Sequence, residues 1–271
     1  MSNPAAAEAP AEEKMLGFKN GSVAEIVFNN PARHNAVSLD MWERMTVLLA
    51  DFAADPAVRA LVVSGAGGKA FVSGADISKF ESQRSTPESV AHYNATGAKA
   101  YETLYNFPKP TIAKIQGYCI GGGMNVAVCC DVRIATDSSK YGIPAAKLGL
   151  GYGFAGVRRL SEIVGLSKAM ELFYTARQFT AAEAEAMGFL NQVVPAEGLD
   201  AAVAAFTSMI AENAPLTIAT IKAVAREIGR PESERDLAKL DRMVTACFAS
   251  EDYIEGRRAF MEKRKPQFKG R

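Results

Sequence analysis

The stretch TIAKIQGYCIGGGMNVAVCCD, from Thr111 to Asp131, decides the fold. Its first part, TIAKIQGY, is rich in β-branched and apolar residues and predicts a strand. Three glycines, Gly121 to Gly123, interrupt the pattern, and GGGMNVAVCC then opens a buried helix. DVRIAT, which follows, predicts another strand. A strand, a glycine turn, a helix and a further strand are the marks of an α/β core.

The same order recurs upstream. VAEIVFN, from Val23, reads as a strand and NNPARHN as a turn. Ser38 is placed as the N-cap of an amphipathic helix, SLDMWERMTVLLADFAAD, whose Leu39, Trp42, Met45, Leu48, Leu49 and Phe52 fall at helical spacing. VRALVVSG predicts a short strand ending in the turn GAGGKAF. In SGADISKF, Asp76 and Ile77 are expected to open a short helix. A helix over about 89–106 runs into FPKP, whose prolines stop it.

From about Gly156 onward the pattern is mostly helical. VRRLSEIVG, SKAMELFYT and TAAEAEAMG are short helices, and GFLNQVV is an isolated strand-like run. Longer helices are expected at about 198–213, 215–229 and 233–249, then EDYIEGRRAFMEKR, with stops at Gly188, Gly229 and Pro231. The domain reading is a tail over 1–14, an α/β core over 15–197 carrying the site, and a helical region over 198–271. Helices with apolar stripes at a chain end commonly dock on the core or on a neighbouring subunit.

Composition narrows the function classes. The chain has 271 residues, with 31 basic and 30 acidic side chains spread along it. It shows no concentrated basic excess of the kind a nucleic-acid binder needs, although a few residues suffice for a phosphorylated ligand. No apolar run approaches the roughly 20 residues that span a bilayer, so no membrane partner is expected. The N-terminus, MSNPAAAEAPAEEK, has neither the charged nor the apolar region of a signal peptide, and a cytoplasmic location is expected. Cys119, Cys129, Cys130 and Cys247 read as reduced cysteines in apolar settings. His34 and His92 lie far apart, so no metal site is expected.

Two turns are candidates for chemistry: SGAD, Ser73 to Asp76, and GGG, Gly121 to Gly123. Each follows a strand and opens a helix, where unpaired N–H groups and the helix dipole favour negative charge. Two such groups converging would hold a thioester oxygen as it becomes an enolate. Tight packing is the competing use of such glycines. GGGMN lacks the Lys-Ser/Thr ending of a P-loop, and GAGGKA does not fit the dinucleotide fingerprint, which removes nucleotide hydrolysis and hydride transfer.

NNPARHNAVS, FVSGADISKF, KPTIAKIQGYCIGGGMNVAVCCDVRIAT, LGLGYGFAGVRRL and AFMEKRKPQF together resemble the crotonase superfamily of enoyl-CoA hydratases and isomerases, in order from about Val23 to Phe268. The resemblance implies an α/β fold built as a spiral of ββα units, with a helical C-terminal region that builds trimers or dimers of trimers. It implies an acyl-CoA thioester as partner, with coenzyme A entering as part of the substrate and no permanently bound cofactor. The N–H groups of Ala75 and Gly122 would form the oxyanion hole. Ser73, Gly74, Asp76 and Ile77 would run beside coenzyme A, and Lys263 would reach its phosphates. Read alone, Lys263 is a solvated charge. Superfamily members that bind RNA carry lysine-rich helices, which this chain lacks.

The hydratases of this superfamily carry two glutamates, one to activate water and one to move a proton at carbon. The matching positions here are Asn125 and, after the proline of YGIPAAKLG, Ala145. Neither transfers a proton, although Asn125 can hydrogen-bond a water, a substrate carbonyl or a buried neighbour. Tyr152, in LGLGYGFAG, resembles a tyrosine of crotonase-type decarboxylases that act on methylmalonyl-CoA. It is the leading polar candidate, or else an amphipathic residue closing the acyl pocket. Lys147, Ser73 and His34 are weaker ones. Three readings follow: enolate chemistry without the glutamate pair, such as decarboxylation or isomerisation; ordinary 2-enoyl-CoA hydration; and coenzyme A binding without catalysis.

Overall fold

The computed structural model describes residues 13–76 and 86–271. Most of the expected N-terminal tail and Ile77, with the short helix expected there, lie outside them.

Five strands after the first form a staircase. β1 (Met15–Asn20) pairs antiparallel with β2 (Val23–Phe28), and β3 (Ala60–Gly65), β5 (Thr111–Ile115), β7 (Val132–Thr136) and β10 (Gln192–Val194) continue the sheet in parallel. A second sheet has the order β4 (Ala70–Val72), β6 (Tyr118–Ile120), β8 (Lys140–Gly142) and β9 (Phe179–Thr180). Each repeat therefore places a longer strand in the first sheet and a short one in the second, then a helix. β3, β4 and α2 (Pro87–Tyr105) make one such unit; β5, β6 and α3 (Gly122–Cys129) make the next. The ββα spiral expected from the sequence is the architecture found.

TIAKIQGY is not one strand. It breaks at Gln116–Gly117 and contributes β5 to one sheet and β6 to the other. Gly117 makes the corner at φ +73°, and a Cβ there would lie 2.0 Å from Lys69 O. An apolar run conceals such a corner because both halves are buried.

α1 (Leu39–Ala54) buries Met41, Trp42, Met45, Leu48, Leu49 and Phe52, so Leu39 aside the expected stripe faces the core. Ser38 sits at the N-cap but does not cap: its hydroxyl is buried and has no hydrogen-bond partner among the described residues. α2 starts earlier than expected, because Thr86 and Ser89 form a reciprocal capping box ahead of Pro87.

α4 (Phe154–Val164), α5 (Leu166–Thr175) and α6 (Ala181–Ala186) follow, then α7 (Leu199–Ala211), α8 (Pro215–Ile228), α9 (Leu237–Ala249) and α10 (Glu251–Met261). The main core lies between the sheets and under α1 to α3. A smaller cluster joins Leu199 and Val203 of α7 to Ala60, Val62, Ile112 and Ile134 on the outer face of the first sheet. The first helix of the C-terminal region therefore belongs to the core's packing. α8 is tied to it by Asp131, which accepts from Lys222 at 2.7 Å and from Arg226 at 2.6 Å. No single helix among the described residues is long and apolar enough to cross a membrane.

Candidate active site

β4, β6 and β8 are parallel neighbours, so the segments after them emerge at one edge of the sheet. Those segments carry Ser73–Asp76, Gly121–Gly123 and Ala145. Parallel sheets gather loops in this way at the carboxyl ends of their strands.

The SGAD turn hangs on the turn before α1. Ser73 N donates to His34 O at 3.2 Å, Val37 N to Gly74 O at 2.8 Å, and Asp76 N to Val37 O at 3.0 Å. This is a parallel bridge between Val37 and Ala75. In such a bridge the residues flanking Ala75 make the bonds, so the Ala75 N–H points to the opposite side. Asn35, wholly buried, donates its amide to Ala66 O at 2.9 Å and to Ala70 O at 2.7 Å, pinning NNPARHNAVS to the loop that enters β4. The motif is thus scaffolding for the SGAD turn.

Gly121 N donates to Gly142 O at 2.8 Å, which sets the chain to start α3 at Gly122. Amides in a first helical turn lack intrahelical acceptors and lie at the positive end of the helix dipole. A Cβ on Gly122 would lie 3.5 Å from Gly74 Cα and 3.7 Å from Gly74 C. Because Ala75 N is bonded to Gly74 C, the Ala75 and Gly122 amides are neighbours across the two turns. Gly123 is jammed harder: its Cβ would lie 2.1 Å from Val72 O, so only glycine fits.

Asn125 follows one turn into α3. Tyr152, from the loop before α4, donates its hydroxyl to Asn125 Oδ1 at 2.7 Å. The Tyr152 ring stands edge-on to Phe173 with centroids 4.8 Å apart. Burial pushes the Tyr152 phenol well above its ordinary value, against a smaller opposing pull from Asn125. It is a neutral donor at any physiological pH. Gly156, on α4, makes room for the pair: a Cβ there would lie 2.7 Å from Tyr152 Cε1 and 2.9 Å from Asn125 Oδ1.

The structure therefore brings together Gly74, Ala75, Gly122, Asn125 and Tyr152. Asp76 is buried beside them and Ala145 packs half-buried against the main core. Ser73 Oγ donates to Arg33 O at 3.4 Å. His34 is exposed in its turn, its ring 6.3 Å from that of Tyr118, and Lys147 is exposed. Lys263 is exposed just beyond α10, its N–H donating to Phe260 O at 3.2 Å. Among the described residues no cluster of His, Cys, Asp and Glu could hold a metal ion. The four cysteines are free; Cys119, Cys129 and Cys130 are buried, and burial raises the Cys129 thiol to about 11.

Sequence reading missed two residues. Tyr101, on α2, donates to Gly122 O at 3.3 Å, and Gly156 shapes the Asn125–Tyr152 contact. Tyr101 falls at helical spacing with Tyr93, Gly97 and Leu104, so it passes for a core aromatic. A glycine inside the helical run of FAGVRRL was the available signal for Gly156.

A family model described as enoyl-CoA hydratase/isomerase matches residues 18–271. A crotonyl-CoA hydratase of Syntrophomonas wolfei is 35% identical over 258 residues, covering 95% of this chain and 98% of that protein. A short-chain-enoyl-CoA hydratase of Clostridium acetobutylicum is 34% identical, covering 93% and 97%. The crystal structure of an enoyl-CoA hydratase/carnithine racemase from Magnetospirillum magneticum superimposes with a TM-score of 0.91 at 33% identity, covering 96% of this chain and 97% of that one. With the ββα spiral and the paired glycine turns already in place, these matches make the chain a member of the enoyl-CoA hydratase/isomerase family, within the crotonase superfamily.

Proposed function

We propose that this protein is an acyl-CoA enzyme that holds a thioester enolate between the N–H groups of Ala75 and Gly122 and runs chemistry other than glutamate-driven hydration. The observation that carries the reading is the Tyr152–Asn125 hydrogen bond at 2.7 Å. Where a hydratase needs a carboxylate, this site holds an amide locked to a neutral phenol.

Decarboxylation suits such a site best. The bond from the α-carbon to a carboxylate breaks, carbon dioxide leaves, and the electron pair moves into the thioester as an enolate. Two oriented N–H donors hold the developing oxygen charge, and one such donor is worth about 10²–10³-fold in rate. No base is needed at carbon. The Asn125 amide nitrogen, oriented by the Tyr152 hydroxyl on its oxygen, supplies a hydrogen bond to the departing carboxylate, and a proton from solvent completes the product. An enolate-forming isomerisation shares the same oxygen site. Ser73, Gly74, Asp76 and Ile77 would follow the coenzyme A chain, with Lys263 at its phosphates.

Ordinary 2-enoyl-CoA hydration is the second reading, favoured by the activities that the two relatives' names carry. Water would then be held by Asn125 and Tyr152 without a carboxylate. A homotrimer, or a dimer of trimers, belongs to both readings. Its support is an apolar groove of about 940 Å³ along α8, α9 and α10, with Ile221, Phe248, Phe260 and Met261 exposed on it.

Tyr152→Phe tests the role of the phenol. Turnover of methylmalonyl-CoA should fall at least about tenfold with coenzyme A affinity nearly intact, since the hydrogen bond that orients Asn125 is lost. An unchanged rate rejects the role.

A further inference from the structure

We infer that Tyr101 is a positioning residue for the oxyanion turn. The inference rests on the reading of Gly122 as an oxyanion donor.

Tyr101 sits on α2, across the site from Tyr152. Its hydroxyl donates to Gly122 O at 3.3 Å, and a Cβ built on Gly122 would come within 3.1 Å of that oxygen.

Packing fixes Tyr101 in turn. The Tyr101 ring lies 4.8 Å from that of Trp42, whose Nε1 donates to the Tyr93 hydroxyl at 3.3 Å. The Tyr93 hydroxyl donates in turn to Val37 O at 3.0 Å, the same carbonyl that receives Asp76 N. α2 thus reaches both glycine turns through tyrosine hydroxyls: Tyr93 toward SGAD and Tyr101 toward GGG. Gly121 leaves the turn free of side-chain anchors of its own, so Tyr101 supplies one from outside. A donor displaced by 1 Å can cost about 10²-fold in rate, which is why fixing the Gly122 peptide matters.

Tyr101→Phe keeps the ring against Trp42 and removes only the hydroxyl. Hydrogen–deuterium exchange of the free protein should quicken roughly fivefold over residues 121–125, the worth of one lost hydrogen bond, with β3 unchanged. The kcat for whichever of crotonyl-CoA or methylmalonyl-CoA the wild type turns over faster should fall about tenfold at constant KM. Unchanged exchange at the turn, or an unchanged kcat, overturns the assignment. If the wild type turns over neither thioester, the proposed function fails, and exchange alone then decides for or against Tyr101.

Discussion

Two glycine-rich segments meet at the Asn125–Tyr152 contact, and they are held in opposite ways. Gly121–Gly123 is wedged into backbone: Gly123 has no room for a Cβ beside Val72 O, and Gly121 is bonded to Gly142 O. In the loop that carries Tyr152, Cβ atoms on Gly149, Gly151 and Gly153 would meet nothing within 4 Å. The first segment is fixed by its packed main chain, whereas the second is tied at its start by Leu150 N on Ala145 O at 3.0 Å and beyond that is held through Tyr152, seated on Asn125 and Phe173. The lesson is about division of labour. On the proposed reading the oxyanion donors sit on rigid backbone, while Tyr152, proposed to distinguish one reaction from another, arrives on a loop that sequence change can reshape.

The largest break in this contrast should come from Gly123→Ala. A Cβ 2.1 Å from a backbone oxygen must move β4 or α3, so stability should fall by about 3 kcal/mol or the protein should fail to fold, as read by chemical denaturation. Gly156→Ala comes next. It strikes the Tyr152 ring and Asn125 Oδ1 and not a strand, so turnover should fall about tenfold while stability drops by only about 1 kcal/mol.

A pH profile sharpens the same comparison. Burial raises the Tyr152 phenol, so its protonated form persists and is lost only above the ordinary tyrosine value of about 10. From there downward, kcat/KM should show no fall on Tyr152's account and no acid limb between about pH 5 and 7 of the kind a catalytic carboxylate produces. An inflection in that window would mean a carboxylate does the work. The smallest effect belongs to Gly151→Ala, which enters open space and should change stability by no more than about 0.5 kcal/mol. A larger loss would show that the Tyr152 loop is backbone-fixed after all.

Much of this was legible in the chain. Periodicity placed α1 and the C-terminal helices, strand–turn–helix order pointed to an α/β core, and the resemblance to the crotonase superfamily implied the ββα spiral. The two glycine turns came out next to each other, as their joint reading required. The corner at Gln116–Gly117 was hidden because both β5 and β6 are apolar, and periodicity registers burial without telling which sheet a strand enters. Ser38 misled for a related reason: its residue type suits a cap, but packing buries the hydroxyl. Tyr101 was invisible because an aromatic at helical spacing reads as core until the hydroxyl's partner, Gly122 O, is seen. Asn125 itself was plain in the sequence; that its oxygen is occupied by Tyr152 was not.

The central claim is that an amide–phenol pair has replaced carboxylate-driven hydration. The most direct measurement offers the wild-type protein crotonyl-CoA and methylmalonyl-CoA side by side, following the thioester products by mass. The account predicts conversion of methylmalonyl-CoA to the decarboxylated thioester with little or no addition of water to crotonyl-CoA. Crotonyl-CoA hydration at a kcat of about 10 s⁻¹ or more, the median for enzymes, with methylmalonyl-CoA untouched, would contradict it.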